Sequence, residues 1–180
     1  MNSNTNYTIS NNLLGSGVDG FVYEGYMDNE KIAVKIINKN IFENDEFIQN
    51  FIKMNMLASS LEIGPKIYSI ISEKDKILIY MDLMDKTLSD YINKKLETES
   101  YENVEESVKS IVFPIHKKMY DNNISIGDDN VENYMEKNGK WYRIDFTQNK
   151  FIKSKKADYL KFSYFNIKNI SIHRIFVKDL

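Results

Sequence analysis

Short apolar runs broken by polar turn formers dominate the first 82 residues, and helical spacing takes over beyond them. Phe21-Val22-Tyr23-Glu24-Gly25-Tyr26 and Lys31-Ile32-Ala33-Val34-Lys35-Ile36-Ile37 are rich in β-branched and aromatic residues, with turn formers at Met27-Asp28-Asn29-Glu30. With the segment before them, they read as strand, loop, strand, turn, strand. Residues 41–61 then space Phe47, Ile48, Phe51, Ile52, Met54 and Leu57 for one apolar helix face. Asn44-Asp45-Glu46 suits its first turn, and Gly64-Pro65 ends it. Residues 66–71 and 76–81 form a further strand pair around Ser72-Glu73-Lys74-Asp75, which makes five strands and one helix. Past Asp82-Leu83-Met84-Asp85, residues 87–95 read as a helix opened by Thr87 and Asp90 at capping-box spacing. Residues 104–122 read as another helix, in which Pro114 implies a kink or a late start. Residues 97–106 read as an acidic, exposed connection.

Composition narrows the function classes. A chain of 180 residues, 42% hydrophobic, can bury one core or two small lobes. It has no cysteine, which excludes disulfide and thiolate chemistry. The polar start Met1-Asn2-Ser3-Asn4-Thr5-Asn6 lacks the pattern of a secretory signal, and no apolar run is long enough for a membrane span, so an intracellular, cytoplasmic protein is expected. The net charge of −2 divides into +6 from Lys150 onward and −8 before it. That basic segment keeps nucleic acid, anionic lipid or an acidic partner open beside the plainer reading of a solvated face.

Two clusters carry candidate chemistry. In Leu14-Gly15-Ser16-Gly17-Val18-Asp19-Gly20-Phe21-Val22 the glycines let backbone amides approach phosphate oxygens, and Lys35 on a neighbouring strand adds a point charge. A glycine triplet also occurs in ordinary hairpins, and a dinucleotide-binding fingerprint would open a helix, whereas strand-forming residues follow here. Downstream, Ile126-Gly127-Asp128-Asp129-Asn130-Val131-Glu132-Asn133 is followed by a hairpin pattern around Lys137-Asn138-Gly139-Lys140 that delivers Ile144-Asp145-Phe146. Phosphoryl transfer needs a carboxylate to orient the acceptor hydroxyl, and an Asn with a second carboxylate to hold magnesium on the phosphates. Asp and Asn are also ordinary turn residues. His116 and His173 lack metal-ligand spacing and read as surface or packing residues, and Trp141 reads as core.

On these motifs, from about Leu13 to Phe146, the chain resembles the protein kinase-like superfamily, as a compact member similar to small viral or KEOPS-type Ser/Thr kinases. The glycine segment resembles the glycine-rich loop, Ile32-Ala33-Val34-Lys35 the phosphate-lysine strand, and Met81-Asp82-Leu83-Met84 the hinge. The resemblance implies an α+β, bilobal fold. Its N-lobe, residues 1–82, is a five-stranded antiparallel sheet with one helix; its reduced, mainly helical C-lobe spans residues 83–180.

It further implies ATP as ligand, held by Gly15, Ser16, Gly17, Gly20, Val22, Ala33, Lys35, Met81, Asp82 and Leu83. Asp128 and Lys35 would be catalytic, with Mg2+ on Asn133 and Asp145. The activity implied is transfer of the γ-phosphoryl group to a hydroxyl, foremost of a Ser/Thr protein substrate. A pseudokinase scaffold and a small-molecule kinase are the alternatives. Several residues depart from the family pattern: Ile126 for His, Gly127 for Arg, Thr147 for Gly, and Phe51 where a helix Glu usually pairs with the lysine. Only 35 residues follow Asp145, and among them Asp158 is a candidate brace for the catalytic loop.

Overall fold

The computed structural model describes residues 5–127 and 129–147. The fold is α+β, and the chain divides between Met84 and Asp85 into two compact units.

In the first unit, β1 (Tyr7–Gly17), β2 (Gly20–Met27), β3 (Glu30–Asn38), β4 (Ile67–Ser72) and β5 (Lys76–Asp82) form one antiparallel sheet in the order β1-β2-β3-β5-β4. Alternation along β3 explains its two faces. Ala33 and Ile37 pack with Ile77, Ile79 and Met81 of β5 against Ile48 and Phe51 of helix α1 (Asp45–Ser60). Ile32 and Val34 turn the other way, toward Leu78, Tyr80 and Tyr7. The turn between β2 and β3 is closed by Asp28 and Asn29 at φ 48° and 75°, a geometry that their short polar side chains tolerate.

Two expectations are corrected here, on the glycine segment and on the buried stripe of the helix, and one is met, since Asn44-Asp45-Glu46 opens that helix. The glycine segment is a tight hairpin, not an open loop: β1 runs to Gly17, and Val18-Asp19 alone turns it into Gly20. Helix α1 starts at Asp45, because the Asn44 side chain accepts from the amides of Glu46 and Phe47 and Lys39–Ile41 forms a separate 3-10 turn. Its buried stripe is Ile48, Phe51, Met54, Asn55 and Ala58, which leaves Phe47 at 43% exposure.

The second unit contains β6 (Lys86–Thr87), α2 (Leu88–Leu96), α3 (Tyr101–Asp121), β7 (Tyr134–Lys137) and β8 (Lys140–Arg143), with the three strands paired in the order β6-β7-β8. Thr87 and Asp90 form the expected reciprocal capping box on α2. Residues 101–106 belong to α3 and are not an exposed connection: Ser100 caps the helix and Val104 is fully buried. The helix runs through Pro114, which lies on the solvent face, so the Ser110 carbonyl that loses its helical partner can bind water. Asn138 and Gly139, both at positive φ, close the β7–β8 hairpin as the sequence predicts. Trp141 is half-buried on β8, edge-on to Tyr91 of α2. Among the described residues, no helix is long and apolar enough to cross a membrane.

Gly20 has φ +150°, and a Cβ there would stand 2.0 Å from the Ile36 carbonyl oxygen on β3, whereas a Cβ on Gly17 meets nothing within 4 Å. Gly20→Ala is therefore expected to lower stability by about 1–3 kcal/mol, and Gly17→Ala to change it by less than about 0.5 kcal/mol. Thermal denaturation of the two variants checks this contrast.

Candidate functional site

The candidate residues fall into one group in each unit. In the first unit, strand register brings most of its group onto one sheet face. Val22 lies opposite Lys35, Lys35 opposite Ile79, and Ala33 opposite Met81. Directly paired residues share a face, and Val22 and Leu83 pack against the cluster that holds Ala33 and Met81. Val22, Ala33, Lys35, Met81 and Leu83 thus stand on the α1 side of the sheet, with Lys35 half-buried among apolar neighbours.

Two glycines next to this face are not required by any close contact among the described residues. A Cβ on Gly15 or Gly17 meets nothing within 4 Å, and neither residue has a positive φ. Gly20 differs, because the fold itself requires it. Ser16 is exposed on β1 opposite Phe21. At the end of β5, the Asp82 amide donates to the Lys66 carbonyl and its carboxylate accepts from the Tyr68 hydroxyl at 2.6 Å. Burial, then that bond, pushes the Tyr68 hydroxyl well above its ordinary value. The backbones of Leu83 and Met84 bond to no other described residue, so their amides and carbonyls remain available to a planar heterocycle.

The inward face of α1 carries no carboxylate. Phe51 occupies it, ring to ring with Phe42 at 5.2 Å, and Glu46 is exposed in the first turn.

In the second unit, Asn133 and Asp145 lie at the same end of the β7–β8 hairpin. Asn133 closes a 3-10 turn, Val131–Asn133, and its carbonyl accepts from the Ile144 amide at 2.9 Å. The Asp145 Oδ1 accepts from both the amide and the hydroxyl of Thr147, at 3.0 and 2.8 Å. Thr147, standing where the family pattern has glycine, therefore orients this carboxylate. Asn133 and Asp145 offer hard oxygen donors, and no group of three His, Cys, Asp or Glu suited to a metal occurs among the described residues. Hard oxygen donors of this kind suit magnesium better than a soft metal. Asp128, Asp158, His173 and the basic segment from Lys150 lie outside the described residues.

Sequence reasoning missed the residues around this hairpin end. The His116 side chain on α3 is fully buried, and those of Arg143 and Asp129 are 1% and 9% exposed. All three converge on Tyr134, whose hydroxyl donates to Asp129 Oδ1 at 2.5 Å and accepts from Arg143 Nη1 at 3.1 Å. His116 Nε2 lies 2.5 Å from the same hydroxyl and 3.2 Å from Asp129 Oδ1. Since the Tyr134 proton goes to Asp129, Nε2 is the protonated ring nitrogen and acts as donor. His116 is thus a buried hydrogen-bonding partner and not an ordinary packing residue. The available signal was its place one residue after Ile115 and four after Val112, on the apolar stripe of α3. Burial, with help from the neighbouring carboxylate, pushes the Tyr134 hydroxyl far above its ordinary value. Burial also works to raise the Asp129 carboxyl, but the bonds and charges of His116, Tyr134 and Arg143 outweigh it and leave Asp129 below the usual 3.8. Ile126 is buried, and Gly127 has φ 67°, which favours glycine where the family pattern has arginine.

No family model matches the chain, and no curated protein matches it.

Because Asp129 titrates lower in the folded chain than in the unfolded one, the unfolded state binds more protons just below the ordinary carboxyl value. The stabilisation is complete above about pH 5 and is lost as pH falls through the native value. The melting-temperature gap between the native chain and Asp129→Asn should therefore narrow between about pH 6 and pH 3, which differential scanning calorimetry measures.

Proposed function

We propose that the chain is an ATP-dependent phosphotransferase of the protein kinase-like class, with a bilobal arrangement in which the five-stranded sheet and α1 make the nucleotide-binding lobe. The observation that carries this reading is the single sheet face bearing Val22, Ala33, Lys35, Met81 and Leu83 beside a hairpin whose Gly15 and Gly17 no protein contact explains. Bare glycines give backbone amides access to phosphate oxygens, and Lys35 supplies the charge to hold them. The apolar residues Val22, Ala33 and Leu83 would sandwich the adenine, and the free backbone groups of Leu83 and Met84 would pair with its edge.

Chemistry then falls to the second unit. Asp128 would orient the acceptor hydroxyl and take its proton. Asn133 and Asp145 would hold magnesium, which when bound neutralises charge on the phosphates. Thr147 keeps Asp145 in one orientation, and most of the rate comes from such positioning and charge stabilisation. Of the adjacent aspartates, Asp129 is committed to a buried network, so the catalytic role falls to Asp128. A Ser or Thr hydroxyl of a protein is the acceptor class the resemblance favours.

One observation favours a second reading. Phe51, and not a carboxylate, stands on the inward face of α1, a departure from the pattern of the resemblance that also fits a scaffold that binds nucleotide without turnover.

Incubation with labelled ATP and magnesium, with and without a general protein substrate, separates the two. Transfer is expected from the native chain, reduced about 100-fold or more in Lys35→Met, Asp128→Ala and Asp145→Ala. Thermal stabilisation by nucleotide without transfer or hydrolysis would favour the scaffold, and no response to nucleotide at all would reject both readings.

A further inference from the structure

The buried group in the second unit lies next in sequence to, or bonds with, the second unit's candidate residues for phosphoryl transfer. Asp129 follows Asp128 directly, and Tyr134 follows Asn133. Arg143 Nη1 donates to the Tyr134 hydroxyl and lies 3.5 Å from Asp129 Oδ1, while its Nε donates to the Asp145 carbonyl at 3.3 Å. His116 ties the whole group to α3. We propose that His116, Asp129, Tyr134 and Arg143 act as one positioning device, setting where Asn133 and Asp145 stand relative to each other and to the backbone of Asp129. This inference rests on the phosphotransferase reading for its functional meaning, and on geometry alone for its mechanical part.

Three considerations support a local, functional role over simple core filling. The group is costly to bury: His116 Nδ1 and Asp129 Oδ2 have no hydrogen-bond partner among the described residues, and a well-packed apolar core would avoid that cost. Its members come from separate stretches, namely α3, the segment before the 3-10 turn, β7 and β8, so it fixes connections that backbone pairing alone leaves adjustable. Each contact also sits one or two bonds of chain from a candidate residue, which is where a shift of about 1 Å would cost the most rate. None of the four is expected to touch nucleotide or acceptor. They are positioning residues, and their loss should act on kcat with little effect on the KM for ATP.

The test uses the full chain with Asp129→Asn, which keeps the shape and removes the charge, and Tyr134→Phe, which removes one hydroxyl. Amide hydrogen exchange is followed across residues 124–133 and across β3, beside steady-state kinetics. Both variants are expected to fold, with exchange in residues 124–133 accelerated by about tenfold and β3 unchanged. The expected kcat falls by about 10- to 100-fold with the KM for ATP within about threefold. Re-adding the side-chain function in part, as Asp129→Glu, should recover some of the lost kcat.

Native-like exchange in residues 124–133 of both variants would overturn the proposal, and so would a rise in KM at constant kcat. Failure of both variants to fold would also overturn it, by making the group a requirement of the whole unit. Accelerated exchange with no transfer by the native chain would keep the mechanical role and reject the phosphotransferase reading.

Discussion

An arginine and an aspartate buried together around one tyrosine hydroxyl constrain the second unit more than any apolar contact does. Removing both charges from water costs several kcal/mol apiece, and the cost is offset only if Arg143, Asp129, His116 and Tyr134 meet with good geometry. That requirement dictates where α3 must lie against the β7–β8 hairpin. It also dictates where the hairpin must start and end, and so where Asn133 and Asp145 emerge. Apolar packing by Val108, Val112 and Met119 supplies the driving force but tolerates sliding, whereas a hydrogen-bonded cluster does not.

Much of the fold was legible in the sequence because the signals are local. Runs of β-branched and aromatic residues between turn formers marked β3 and β5, Asn138-Gly139 marked a hairpin, and Thr87 with Asp90 marked a helix start to the residue. The glycine segment and Lys35 were legible for the same reason, since register across three short strands follows from turn lengths. What escaped is long-range. His116 meets a tyrosine 18 positions away, and Asp129 reads as an ordinary turn aspartate until its burial is seen. The start of α3 was missed because the acidic residues around Val104 hid a capped first turn. Thr147 reads in the sequence only as a departure from glycine, yet its hydroxyl and amide act on Asp145 directly.

The two units solve their packing problems differently. In the first, a helix covers one sheet face with aliphatic and aromatic side chains, Phe51 among them. Half-burial then leaves Lys35 in surroundings where a negatively charged group gains more than it would in water. In the second, polar contacts carry the specificity, and the hairpin end is defined by a carbonyl and a carboxylate each held at close range.

The outermost strand of the first unit also matters for how molecules of this chain meet one another. Among the described residues β1 pairs with β2 alone, and it exposes Ile9, Leu13 and Leu14, a combination that invites strand-to-strand aggregation. Its pairing with β2 shifts register twice, between Ile9 and Leu13 and between Leu13 and Gly15. Such irregularities bend and twist a strand, so its unpaired amides do not fall in the straight row that a second chain would need. The hairpin that leaves its glycines bare is thereby kept from becoming a seed for fibrils.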